Sequence, residues 1–238
     1  MPELFFCADI SSPAVTLADA EAHHAIHVLR LKSNDNVDLF DGAGHRASAV
    51  INAVDRSTVT AAILDRTFQP KPTSGLLTVA ASPPKGDRLK WMIEKLTELG
   101  VDSYLPLQTA RTIVDPRKTK LDKLTANVIS AAKQSGQRWL MEIAPPITLE
   151  TLLADQREST QMYLAHPYEA DSEAIAGLVK SSGNYVLLIG PEGGFTEGEV
   201  SLATLAGAKP ICLPGTILRI ETAAISFSAI LKQRLMMQ

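Results

Sequence analysis

The stretch Leu187-Leu188-Ile189-Gly190-Pro191-Glu192-Gly193-Gly194-Phe195-Thr196 reads as an apolar strand running into a glycine-rich loop. The residues that follow, Thr196-Glu197-Gly198-Glu199, have the spacing of a capping box, in which a threonine hydroxyl and a glutamate three positions on each satisfy a backbone N–H, so a helix opens here. A strand with no polar alternation is buried on both faces, the habit of parallel sheets covered by helices. In such sheets ligands bind beyond the carboxyl ends of the strands, and glycines there let the backbone approach a ligand closely. The loop is neither G-x-G-x-x-G nor G-x-x-x-x-G-K-[ST], so NAD and ATP are not the ligands it favours.

Outward from this loop the rhythm is strand, helix, strand, helix. Residues 76–81, 101–107, 161–165, 185–189 and 210–213 read as strands, and 87–99, 119–135, 172–180 and 221 to the carboxyl end as helices. The first of these helices has apolar residues at Leu89, Ile93, Leu96 and Leu99, an expected N-cap at Asp87 and a stop at Gly100. The alternation predicts an α/β fold with a mostly parallel sheet between helical layers. Residues 67–75, with two prolines, a glycine and no periodicity, read as a linker. Before them, short β-rich stretches at 4–8, 37–41, 46–54 and 58–65 surround one helical piece, 21–31, with an Asp41-Gly42 turn, the spacing of a small barrel. The expected division is 1–70, a linker 71–75, and 76–238.

Composition narrows the function. The chain has 238 residues, 45% hydrophobic and 21% charged, an ordinary globular profile. Cys7 and Cys212 are far apart with no C-x-x-C, which excludes a disulfide framework or zinc ribbon and fits a reducing cytoplasm. No basic leader precedes an apolar run, and no run approaches the ~18 apolar residues of a membrane span, so neither signal peptide nor membrane anchor is expected. His23, His24 and His27 form H-H-x-x-H, but with no zincin glutamate and no third ligand a metal is not expected. The net charge of −3 argues against a uniformly basic nucleic-acid binder. The charge is segregated, however: residues 76–138 carry 11 basic and 6 acidic side chains. Lys85, Arg88, Lys90, Arg111, Arg117, Lys118, Lys120 and Lys123 can supply a phosphate-facing surface there, with Arg30 and Lys32 assisting from the small domain.

A second loop, Leu213-Pro214-Gly215-Thr216-Ile217-Leu218-Arg219-Ile220-Glu221-Thr222-Ala223, follows the next strand and sets Arg219 and Glu221 at the start of the last helix, beside the first loop. These two loops, with Glu94-Lys95-Leu96-Thr97-Glu98-Leu99-Gly100-Val101, His27-Val28-Leu29-Arg30-Leu31 and Phe40-Asp41-Gly42, resemble the RsmE-type 16S rRNA (uracil-N3)-methyltransferases of the SPOUT superfamily. The resemblance covers essentially the whole chain. It implies an N-terminal PUA-like, RNA-binding β-barrel and a C-terminal SPOUT α/β domain whose end threads a deep trefoil knot. It further implies a homodimer formed through the knotted region, acting on 16S rRNA in the assembled small subunit.

The resemblance also implies a binding site for S-adenosyl-L-methionine made by Leu188, Ile189, Gly190, Pro191, Glu192, Gly193 and Gly194, and by Leu213, Pro214, Gly215, Thr216, Ile217 and Leu218, with Ile220, Thr222 and Ala223 nearby. Leu164 and His166, after another strand, are expected to complete it. Methylating uridine at N3 requires the imino proton to leave, so Arg219 is expected to stabilise the negative charge that develops, and Glu221 or Glu192 to accept the proton or hold the base. RNA contacts are expected at Arg30, Lys32, Lys85, Arg88, Arg111 and Arg138. The chain departs from the family pattern twice. E-Q-[SC]-G-R stands here as Lys133-Gln134-Ser135-Gly136-Gln137-Arg138, and Thr216 replaces a basic residue in L-G-x-R-I-L-R. The alternative is a non-catalytic RNA-binding protein, which uses the β domain and the basic segment and leaves the paired loops without a role.

Overall fold

The computed structural model describes residues 2–118, 121–155, 160–166, 173–174, 183–213 and 217–236. The chain clusters into two units, Met1–Lys71 with Ala132–Leu140, and Pro72–Ala131 with Met141–Gln238.

The first unit contains β1 (Glu3–Phe6), β2 (Ala14–Leu17), α1 (Asp19–His23), a π-helical turn (His24–Val28), β3 (Asn36–Phe40), β4 (His45–Val54) and β5 (Val59–Phe68). The strands form one sheet in the order β1-β3-β4-β5-β2, parallel between β1 and β3 and antiparallel elsewhere. Period-two alternation buries Val37 and Leu39 on β3, Ala47, Ala49 and Ile51 on β4, and Val59 and Ala61 on β5, against Phe5, Val15 and Leu17. The turn after β3 forms where expected: the Asp41 carboxylate accepts the N–H groups of Ala43 (2.7 Å) and His45 (3.0 Å), and Gly42 takes φ +72°. The helix read over 21–31 is instead a short α segment that continues as the π turn, closed by Arg30 at φ +55°. Four-residue β2, next to Pro13, carries too little periodicity to be read from sequence.

Residues 132–140, assigned by sequence to the C-terminal part, pack in this first unit. Trp139 bridges Ala43, the Leu140 N–H donates to Gly42 O (2.9 Å), and Arg46 Nη2 donates to Gly136 O (2.6 Å). Gly44 is required by this contact, because a Cβ there would sit 2.6 Å from the Trp139 ring. Lys133, the departure from the family's acid, pairs with Glu21 at 2.7 Å and lies 5.2 Å from the Phe5 ring centre. All these partners are far away in sequence, so no local signal could announce them.

The second unit holds β6 (Leu77–Ala81), α2 (Asp87–Glu98), β7 (Ser103–Gln108), a 3-10 turn (Pro116–Lys118), α3 (Leu121–Ser135, whose last four residues belong to the first unit), β8 (Glu142–Ile143), β9 (Ile147–Thr148) and α4 (Leu149–Ala154). Then follow β10 (Thr160–Ala165), β11 (Glu173–Ala174), β12 (Asn184–Ile189), α5 (Glu197–Leu205), β13 (Lys209–Cys212) and α6 (Ile220–Met236). The sheet order is β11-β13-β10-β12-β6-β7-β8, with β9 also on β7, and every pairing is parallel. This is the α/β architecture the alternation predicts. The last five residues of β12 are buried, as an interior strand with covered faces requires. Helix α6 packs on α2, β6 and β12, while α4, α5 and Phe195 close a core around Leu107, Met162, Leu164 and Leu188.

Three expectations change. Helix α2 is preceded by Gly86 at φ +63° with no side-chain cap, so Asp87 is its first residue instead of its N-cap. Its buried stripe is Met92, Ile93, Leu96 and Thr97, rotated from the one read in sequence. The helix expected over 172–180 falls largely outside the described residues, and the two described there, Glu173–Ala174, form a strand on β13. Among the described residues no helix is long and apolar enough to cross a membrane.

The Lys133–Glu21 pair yields a stability prediction. Their side chains are 16% and 18% exposed, between the exposed pairs worth at most ~1 kcal/mol and the buried pairs whose breakage costs about 3–5 kcal/mol. Lys133→Glu is therefore expected to lower the unfolding free energy by about 2 kcal/mol in urea titrations. The exchanged pair Glu21→Lys with Lys133→Glu should recover at least half of that.

Candidate active site

Strands β10, β12 and β13 are neighbours, registered so that Ala165 lies opposite both Ile189 and Ile211. Their carboxyl ends therefore finish at one level. The loops that leave them, with the segment 217–220 and the first turns of α6, enclose a cavity of about 380 Å³, within the range of small-molecule sites. One wall is backbone, from Gly190 to Gly194, and the other is apolar, with Ile189, Phe195, Ile211, Leu218 and Phe227. The absence of a side chain at Gly190 matters, since a Cβ there would lie 3.0 Å from the Phe195 ring that folds beneath the loop. Gly194 turns the chain at φ +68°, its N–H donating to Pro191 O at 2.8 Å.

The loop is pinned from two sides. Glu199, only 7% exposed, uses one oxygen for the Thr196 N–H (2.8 Å) and hydroxyl (3.0 Å) and the other for the Ala110 N–H (2.7 Å). Arg111 Nη1 donates to Gly193 O at 2.8 Å. The segment after β7 that supplies Ala110 and Arg111 is itself ordered, with the Thr109 N–H donating to Thr112 Oγ1 (2.8 Å) and the Ser82 hydroxyl to Leu107 O (3.2 Å). Charge-assisted hydrogen bonds of this kind fix a loop before a ligand arrives. The sequence showed half of the Glu199 role as a capping box; its second oxygen, on Ala110, had no local sign.

The charged groups gather at the rim. Arg88, in the first turn of α2, sends Nη2 to Glu192 Oε1 (3.4 Å) and Nη1 to Glu221 Oε1 (3.7 Å). The Glu192 side chain is 34% exposed and that of Glu221 6%. Glu221 Oε2 is buried with no hydrogen-bond partner among the described residues. Burying a carboxylate is costly unless a cation accompanies it, and Arg88 is the cation within ion-pair distance of this one. Arg219 is exposed and lines the cavity.

Of the residues expected to hold the cofactor, Ile189 through Gly194, Leu213, Ile217, Leu218, Ile220, Ala223 and His166 line this cavity, as do Ala165, inside the expected segment from Leu164 to His166, and Cys212, which sequence reasoning passed over. Leu164 and Leu188 end one residue short, fully buried in the apolar core, and Thr222 is half-buried outside the lining. Pro214, Gly215 and Thr216 lie outside the described residues. The expected RNA contacts divide. Lys85, Arg30 and Lys32 are exposed, whereas Arg88 and Arg111 serve the loop and rim, and Arg138 donates to Thr67 Oγ1 at 3.0 Å. Arg117 is taken up by Asp115 at 2.9 Å.

Comparison with known proteins agrees with this organisation. Residues 70–232 match a model of an RNA methyltransferase domain, and residues 17–64 a model of an RNA methyltransferase PUA domain. The chain is 33% identical over 217 residues to the ribosomal RNA small subunit methyltransferase E of Synechocystis, covering 90% of this chain and 71% of that one. With the protein of the same name from Rickettsia conorii it shares 33% over 212 residues, covering 88% and 85%. Among solved structures, the Neisseria gonorrhoeae ribosomal RNA small subunit methyltransferase E bound to S-adenosyl methionine superposes with a TM-score of 0.87 at 30% identity, covering 98% of both chains. A probable rRNA-methyltransferase from Porphyromonas gingivalis has a TM-score of 0.87 at 32% identity, covering 99% of this chain and 97% of that one. With sequence, fold and domain order in accord, the chain belongs to the ribosomal RNA small subunit methyltransferase E family, an RNA methyltransferase domain preceded by a PUA domain.

Proposed function

We propose that this enzyme transfers a methyl group from S-adenosylmethionine to N3 of a uridine in 16S rRNA, acting on the assembled small subunit in the cytoplasm as a homodimer. The observation that carries the reading is the cavity at the ends of three adjacent parallel strands, with Arg219 at its mouth and two carboxylates joined by Arg88. Among the described residues its lining has no lysine and no phosphate-binding pattern, which suits a ligand that is nucleoside at one end and amino acid at the other. The trefoil knot implied by the resemblance is part of this reading.

The residues fit such a ligand. The backbone from Gly190 to Gly194 would hold its polar edges, and Phe195, Ile211, Leu218 and Phe227 would cover its apolar surface. When bound, S-adenosylmethionine supplies a sulfonium methyl: the sulfur–carbon bond breaks as the carbon–N3 bond forms, leaving S-adenosylhomocysteine and a proton to be removed from N3. In this reading Glu192, the more exposed carboxylate, accepts that proton. Glu221, buried, anchors Arg88, and Arg88 in turn orients Glu192. Loss of the N3 proton places charge on the uracil carbonyl oxygens, and the Arg219 guanidinium stabilises it.

Small subunits from a strain lacking this enzyme should accept label from S-adenosylmethionine, and mapping should find N3-methyluridine in their 16S rRNA. Label confined to ribose 2′-oxygens, or none, contradicts the proposal. Arg219→Ala is expected to reduce kcat by about 10²–10³-fold, the usual effect of losing one preorganised donor, without changing the melting temperature. Arg88→Ala should lower kcat by at least ~10-fold while the KM for subunits stays within ~3-fold, and Arg88→Lys should restore part of it. A rise in KM with kcat intact would instead make Arg88 an RNA contact.

A further inference from the structure

The H-H-x-x-H stretch has no part in the methyl-transfer site, yet the fold arranges it with care. Asp19, His23 and His27 recur every four residues along α1 and the π turn, and the rings of His23 and His27 stand 4.8 Å apart. With Ala18 and Ile26 they form one side of a second cavity, about 300 Å³, whose other side is the β4–β5 turn with Arg56, Ser57 and Thr58. Two non-glycine residues in the left-handed region bracket this helical segment, Asp19 at φ +48° and Arg30 at φ +55°. Strained backbone and π turns both concentrate where a protein binds something.

The polar groups of the cavity are unspent. Among the described residues, no ion pair or side-chain hydrogen bond engages Asp19, His23, His27, Arg56, Ser57 or Thr58. The described residues contain no group of three or more His, Cys, Asp or Glu side chains that could hold a metal ion. Arg56, the two hydroxyls and the imidazole N–H groups are donors suited to a phosphodiester. Asp19 is an acceptor in the same cavity. A free phosphate would be repelled by it, but the ribose 2′-hydroxyl, which only RNA presents next to a phosphate, would donate to it.

We propose that this cavity binds one nucleotide of the RNA strand, with its phosphate on Arg56, Ser57 and Thr58 and its 2′-hydroxyl on Asp19. The site rests on the reading that RNA is the substrate, and it adds residues that charge counting in the sequence did not single out.

The test uses the full chain, a fluorescent single-stranded 16S rRNA fragment, and the DNA of the same sequence. Arg56 is exposed, so Arg56→Ala should fold as the wild type does. It should weaken RNA binding about 5–20-fold and reduce the slope of log affinity against log salt by about one. Its kcat on saturating subunits and its affinity for S-adenosylhomocysteine should stay at wild-type values. Asp19→Ala should bring RNA and DNA affinities together, because RNA loses its 2′-hydroxyl acceptor while DNA is relieved of the carboxylate's repulsion of its phosphate. Unchanged RNA affinity and salt slope in Arg56→Ala overturn the proposal, as does displacement of the RNA by inorganic phosphate at matched ionic strength, which marks a free-anion site. A wild-type protein that binds the RNA through Arg56 and Asp19 but transfers no methyl group sinks the methyltransferase reading and upholds this site.

Discussion

The catalytic unit depends on one buried carboxylate. Glu199 satisfies the start of α5 with one oxygen and ties that start to the segment after β7, at Ala110, with the other. Arg111, the next residue, then reaches Gly193 O. A loop of glycines and a proline has little side-chain packing to hold it, and unconstrained it would sample many conformations. Here its far end is fixed by Glu199, its middle by Arg111 and its near end by strand β12. The cavity above it is thereby shaped before any ligand enters, which reduces the ordering cost of binding.

The second organising feature is charge placed around that cavity. Arg88 balances a buried and a half-exposed carboxylate, so removal of any one of the three changes the state of the other two. Arg219 stands apart from this group, exposed at the mouth with no carboxylate within ion-pair distance among the described residues. A guanidinium left available in this way can meet charge that arises only during reaction, and stabilisation of that kind raises kcat.

Much of this was legible in the sequence because it is local. The run through Leu187–Leu188–Ile189, the Thr196–Glu199 spacing and the Asp41-Gly42 turn each encode their geometry within a few residues, and each forms as read. The features that were not legible share a cause as well. Arg88 and Arg111 were grouped with phosphate-facing side chains, because a basic residue looks the same in sequence whether it meets a phosphate or a carboxylate 104 residues away or a carbonyl 82 away. The transfer of residues 132–140 to the first unit depends on Gly44 leaving room for Trp139, a fact of space and not of pattern. The π turn departs from the helix expected over 21–31 for a similar reason: the histidine spacing fits both geometries.

The central claim is that the pinned loop and its apolar wall form a preorganised S-adenosylmethionine site. Calorimetric titration of S-adenosylhomocysteine into the wild-type chain and into Arg111→Ala tests it most directly. The account predicts one site per chain with Kd below about 100 µM, binding about tenfold weaker (1.4 kcal/mol) once the Gly193 contact is lost, and no heat from NAD or ATP. A wild-type chain that takes up NAD or ATP and ignores S-adenosylhomocysteine would contradict it.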